Sequence, residues 1–195
     1  MASRNSLLEP LGYDVLHMVL QLLSRADLCS LCLVSKPSSL MTEPYLYSTL
    51  EWEWDDGEEP FPSIISFLRT ILSRIELADH LRKVRLLGTT YWGGSVHDES
   101  LGKFPTDELD MSKVANMIQK TEAHFADLWI EELSNGTIDG WVTLLLSRLH
   151  NLRYLVIGPN FAKYLRRNFD IFLDSAIFRN VRYGFPNFRH LLDIT

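Results

Sequence analysis

Leu11-Gly12-Tyr13-Asp14-Val15-Leu16-His17-Met18-Val19-Leu20-Gln21-Leu22-Leu23 opens the stretch that decides how this chain is organised, and it runs on through Ser24-Arg25-Ala26-Asp27-Leu28 to Leu50. Read as a helix, it puts His17, Gln21 and Ser24 at i, i+4 and i+7 on one narrow polar stripe, while every other position from Val15 to Leu23 is apolar. About two thirds of the circumference therefore seeks cover. A segment of roughly 40 residues seldom buries enough surface to stand without metal, disulfide or partner, so the surplus must dock onto the rest of the chain or onto another protein. We expect another protein.

Ser24-Arg25-Ala26-Asp27 is a capping box, in which the serine hydroxyl takes a free amide of the first turn and the carboxylate reaches back to the cap. It predicts a second helix, along which Leu28, Leu31, Cys32 and Ser35 fall at i, i+3, i+4 and i+7 as a mostly apolar face. Pro37 suits the first turn of a third short helix, where its missing amide costs little, and Thr42 to Pro44 should end it.

The spacing resembles the F-box, the three-helix module that hooks a substrate receptor to the Skp-type adaptor of a cullin–RING ubiquitin ligase. Leu11, Asp14, Val15, Leu16, Val19, Leu23, Asp27, Leu28, Leu31, Val34, Ser35, Lys36, Pro44, Leu46 and Tyr47 occupy the places of the family pattern without insertion. One departure matters: the family proline after Leu11 is Gly12 here, with Pro10 on the other side, so the entry to the first helix is shaped differently. The resemblance implies that Leu11, Val15, Leu16, Val19, Leu23, Leu28, Leu31 and Val34 contact the adaptor.

Composition sets the bounds. With 195 residues, 46% hydrophobic and 23% charged, the chain has the make-up of one folded domain, or a domain plus a small module. No apolar run reaches the ~18 residues of a membrane span, and the first residues lack the plan of a signal peptide, so a cytoplasmic or nuclear location is expected. Two cysteines there should stay reduced. The net charge is −6, and Glu51-Trp52-Glu53-Trp54-Asp55-Asp56-Gly57-Glu58-Glu59-Pro60 holds six of the acids. A near-neutral body with an acidic loop lacks the dense Lys/Arg patch that a phosphate backbone requires, so no nucleic-acid partner is expected. We read the acidic run as a solvated linker, with contact to a basic partner as the alternative.

Beyond Pro60, Ser63 to Leu77 has helical periodicity with Arg69 and Arg74 outward, and His80 to Gly88 alternates apolar and basic residues as a strand does, with Gly88 closing it. The phrase recurs. Leu149-His150-Asn151-Leu152-Arg153-Tyr154-Leu155 and Phe185-Pro186-Asn187-Phe188-Arg189-His190-Leu191 are both apolar-x-Asn-apolar-Arg-x-Leu, 36 residues apart from Arg153 to Arg189, and each follows a helical stretch, Thr137 to Leu149 and Phe161 to Asn180. An α-then-β unit at such spacing reads as a repeat whose strands stack side by side. Strands around Val84-Leu86, Tyr154-Val156 and Arg189-Leu191 should then be parallel members of one sheet. This part resembles the irregular leucine-rich repeats attached to many fungal-type F-box proteins. Thr89 to Pro105 reads as a long loop, in which Tyr91, Trp92 and Phe104 are candidate target-binding residues, and Met111 to Leu133 as one or two helices.

Chemistry-bearing motifs are weak. Cys29-Ser30-Leu31-Cys32 has C-x-x-C spacing but no second pair to complete a metal site, and Gly93-Gly94-Ser95-Val96-His97-Asp98 crowds Ser, His and Asp into one loop where they cannot orient one another. The fold expected is therefore α+β or α/β: a tail at 1–10, an F-box-like helical module at 11–50, an acidic linker at 51–62 and an irregular leucine-rich-repeat-like body at 63–195. The function expected is a non-catalytic substrate-recognition subunit of a Skp–cullin–F-box type ligase, with no cofactor or metal, no membrane and an unknown protein target. The alternative is a stand-alone repeat scaffold whose first helices only cap the array.

Overall fold

The computed structural model describes residues 12–53, 64–88, 106, 109–165, 167–178, 186, 188 and 193–194. The chain divides into two compact units, Met1–Ser48 and Thr49–Thr195.

Three helices make the first unit: α1 (Tyr13–Leu22), α2 (Arg25–Val34) and α3 (Lys36–Leu46). Serines set their starts. Ser24 accepts the Asp27 N–H at 3.2 Å and donates its hydroxyl to the Asp27 carboxylate at 2.5 Å, so the expected capping box closes through the side chain of the cap. Ser35 does the same for α3, accepting the Ser38 N–H at 3.2 Å, and Pro37 sits in the first turn as its missing amide allows. α3 does not stop at Pro44. It continues to Leu46, forgoing only the bond that residue 44 would donate, and Tyr47 N–H reaches the Glu43 carbonyl at 2.9 Å. Leu16, Leu20 and Leu28 are buried at the centre, with Leu23, Leu31, Met41, Tyr45 and Leu46 packed around them.

The second unit is built on a four-stranded parallel sheet whose strand order is the chain order: β1 (Thr49–Glu53), β2 (Lys83–Leu87), β3 (Tyr154–Ile157) and β4 (Asp193–Ile194). Register aligns Leu50 with Val84 and Leu155, and Trp52 with Leu86 and Ile157, giving two apolar rows on one face. The other face carries Thr49, Glu51 and Glu53, then Lys83 and Arg85, then Tyr154 and Val156, and is the more exposed. β1 corrects the linker reading. Glu51 to Glu53 belong to a strand because Leu50 and Trp52 alternate with the acids, and Glu51 is neutralised by Arg85 across the strands at 2.7 Å. Residues 54–62 of that reading lie outside the described residues, as does the strand expected around Arg189 to Leu191; β4 lies just beyond it.

Each crossover between strands is helical, as parallel pairing demands. β1 leads through α4 (Ile64–Ser73) and α5 (Ile75–Ala78), broken at Arg74 where one helix was expected. β2 leads through α6 (Met111–Gln119), α7 (Ala126–Ser134) and α8 (Ile138–Leu146), and β3 through α9 (Pro159–Tyr164), α10 (Arg167–Leu173) and a π turn (Asp174–Phe178). Phe67 of α4 meets Trp52 edge-on at 5.7 Å, which fastens that helix to β1. Every residue of α8 is buried. Such a helix tolerates only close neighbours, and Gly140 supplies one: a Cβ there would lie 3.0 Å from the Leu133 nitrogen of α7, while the Gly140 carbonyl accepts the Trp129 indole N–H at 3.0 Å. Gly140→Ala should therefore destabilise this unit by about 1–3 kcal/mol through overpacking. An unchanged thermal midpoint would show that α7 can retreat freely.

Candidate docking surface on the first unit

The polar residues His17 and Gln21 of α1 are exposed and bonded to one another and to α3. His17 Nδ1 hydrogen-bonds the Tyr45 hydroxyl of α3, Gln21 Nε2 reaches His17 Nε2 at 2.9 Å, and the imidazole and phenol rings lie 5.5 Å apart. Of the polar stripe read from the sequence, His17 bonds across to α3, Gln21 bonds back to His17, and Ser24 caps α2. With Leu16 and Leu20 turned into the core, the large apolar side chains left to water are Tyr13, Val15, Met18, Val19 and Leu22, of which Val15, Met18, Val19 and Leu22 follow i, i+3, i+4, i+7. Tyr13 and Leu22 are 88% and 86% exposed. Leu33 and Val34 at the end of α2 and Leu40 on α3 are exposed as well. Together these side chains leave an exposed apolar row along α1 with further apolar residues on α2 and α3.

The expected contact residues that are described fall into three groups by exposure. Val15, Val19 and Val34 are exposed, and Leu23 and Leu31 are half-buried against the core. Leu16 and Leu28 are not on the surface. Only 7% and 6% of their area is accessible, because the three helices need an apolar centre and these are the positions at which they converge. Leu11 lies outside the described residues, as do Tyr91, Trp92 and Phe104. Met18, Leu22 and Leu33, exposed beside them, were not among the expected contacts, although the Val15-Met18-Val19-Leu22 spacing was there to be read.

Gly12 precedes α1 with φ −55° and ψ 148°, its carbonyl accepts the Leu16 N–H at 3.0 Å, and nothing approaches the place of a Cβ within 4 Å. That backbone is the one proline prefers. Gly12→Pro should leave α1 intact and stabilise the unit by about 0.4–1 kcal/mol, since the gain comes from restricting the unfolded chain. Denaturant unfolding measures it, and a destabilised variant would mean that the glycine is needed.

Cys29 is exposed and Cys32 half-buried. Burial pushes the Cys32 thiol up, against a hydrogen bond from Ser39, and Glu43 raises it further, which is the opposite of the activation a reactive thiol needs. Among the described residues no group of His, Cys, Asp and Glu could hold a metal ion, and no helix is long and apolar enough to cross a membrane.

Residues 8–38 match the F-box domain, a span that covers α1, α2 and the start of α3. No curated protein and no solved structure matches the chain.

Proposed function

We propose that the chain is a non-catalytic substrate-recognition subunit of a Skp–cullin–F-box type ubiquitin ligase: the first unit docks on a Skp-type adaptor, and the second holds the protein to be modified. The observation that carries this is the exposed Val15-Met18-Val19-Leu22 row inside the F-box match, a helix face left apolar on a unit that has already filled its own core. Exposed apolar surface of this extent is stabilised by a partner.

The second unit is read as a short, irregular leucine-rich-repeat-like array. Its strands are parallel and in chain order, starting at residues 49, 83, 154 and 193, so that the middle interval is about twice its neighbours. Asn151 of the recurring phrase donates its side-chain amide to the Asp79 carbonyl of the preceding turn at 2.9 Å, linking one copy to the next. The site on this array is its own surface, and the bond-making chemistry belongs to other subunits.

The test is capture. The full chain, immobilised, should retain a purified Skp-type adaptor at micromolar concentration; no retention would remove the reading.

A further inference from the structure

β1 stands at the edge of the sheet, paired with β2 on one side and with no other strand among the described residues. The ladder fixes which of its backbone groups are used. Tyr154 donates its N–H to the Arg82 carbonyl at 3.0 Å and Gly158 to the Leu86 carbonyl at 2.6 Å, so the even-numbered residues of β2 turn toward β3 and the odd-numbered ones, Lys83, Arg85 and Leu87, toward β1. In a parallel pair, a residue that faces its neighbour bonds to the two residues flanking its register partner. Arg85 is set against Glu51, which turns Leu50 and Trp52 toward β2 and leaves the N–H and C=O groups of Thr49, Glu51 and Glu53 pointing away from the sheet. Among the described residues no other main-chain group takes them up. Proline, lysine or a bulge commonly blunts such an edge, and β1 has none of these: its register with β2 runs unbroken from Thr49 to Glu53.

We propose that β1 captures an extended segment of the target by strand addition, and that this segment alternates basic with apolar residues. The proposal rests on the reading of the second unit as the part that holds the target. Side chains decide the occupant, because neighbours across a strand pair share a face. On the open face the added strand lies beside Glu51 and Glu53, both exposed; Arg85 engages Glu51 at 2.7 Å, while Glu53 has no ion pair among the described residues. On the other face it lies beside Leu50, which is buried, and Trp52, which is half-buried and meets Phe67 edge-on. Lysine or arginine at every second position, with aliphatic residues between, matches both faces, and the net charge of −6 draws such a segment in. Two copies of β1 pairing edge to edge would bring their glutamates together, and a nucleic acid would have to set its phosphates against the same carboxylates.

A fluorescein-labelled hexapeptide of alternating lysine and valine, titrated with the full chain at low salt and followed by anisotropy, tests this. Binding should weaken by about tenfold or more with Glu53→Lys, and should fall as salt rises toward about 150 mM. Glu131→Lys, an exposed change on α7, which packs on α6 and α8, should leave it within about twofold. Methylating the backbone nitrogens of the peptide keeps every side-chain charge but removes the donors that strand addition needs, so binding should again fall by about tenfold or more. Circular dichroism should match the parent in both variants. Equal affinity in the parent and in Glu53→Lys would overturn the proposal, as would equal binding of the methylated peptide, which would reduce the attraction to charge alone. A hexapeptide of alternating glutamate and valine, bound as tightly as the basic one, would overturn the choice of occupant. A parent chain that sediments as a dimer and takes up no peptide would give the edge to a second copy and overturn it too. Adaptor capture is measured separately, so the two readings fail separately.

Discussion

Val19→Glu should abolish capture of a Skp-type adaptor while leaving the helices intact. Val19 lies in the middle of the bare row on α1 and is 40% exposed, so in the free chain the new carboxylate can remain hydrated and the fold gives up little. In the complex the same carboxylate would be enclosed by apolar groups. An unpaired charge there costs several kcal/mol, against roughly 1.5–3 gained from the aliphatic side chain it replaces, and every 1.4 kcal/mol is tenfold in affinity. Micromolar capture should thus become undetectable, with the far-ultraviolet dichroism unchanged. Leu28→Glu is the contrast. Leu28 is 6% exposed and touches the centre of the three-helix cluster, so a charge there should unfold the first unit before any question of docking arises. If Val19→Glu also melts the helices, the row is core and the docking face lies elsewhere; if it captures adaptor as the parent does, α1 is not the contact.

The first unit was legible because the starts of α2 and α3 are written in local chemistry. A serine with an acid three residues on, a second serine ahead of Pro37, and leucines at helical spacing each point to the same three helices. What was not legible was which apolar residues face in. A helix apolar around most of its girth has no single hydrophobic direction, and only packing against α2 and α3 turns Leu16 and Leu20 inward and leaves Val15, Met18, Val19 and Leu22 exposed.

In the second unit the sheet was read from Val84, Leu86 and Leu155, whose alternation is clean. β1 was missed because Glu51 and Glu53 looked like part of a charge run, though period-two alternation with Leu50 and Trp52 is the signature of an edge strand with one wet face. Charge measures exposure; periodicity decides structure. The α3 end was misplaced for a related reason, since a proline near a helix end removes a single bond and the remaining turn can still close on Glu43.

Asp139 carries the second large expectation. It sits on α8 at 4% exposure, and its carboxylate accepts the Asn168 N–H at 3.0 Å through Oδ2 and the Phe169 N–H at 3.2 Å through Oδ1. These amides belong to the first turn of α10 and have no acceptor within their own helix. Asp139→Ala would leave both buried and unpaired, at about 1–3 kcal/mol each, so the unit should lose roughly 3–5 kcal/mol, a large share of the 5–15 kcal/mol typical of a whole domain. Asn168 provides the control on the same joint. Its side chain is fully buried, and among the described residues neither amide atom has a hydrogen-bond partner, so Asn168→Leu removes groups without a protein partner there. That variant should be as stable as the parent or more stable by about 1 kcal/mol. Guanidinium unfolding followed through the buried Trp129 and Trp141 reads both variants. An Asp139→Ala midpoint equal to the parent's would mean that the α10 amides find other acceptors, and a strongly destabilised Asn168→Leu would mean that its amide is satisfied after all.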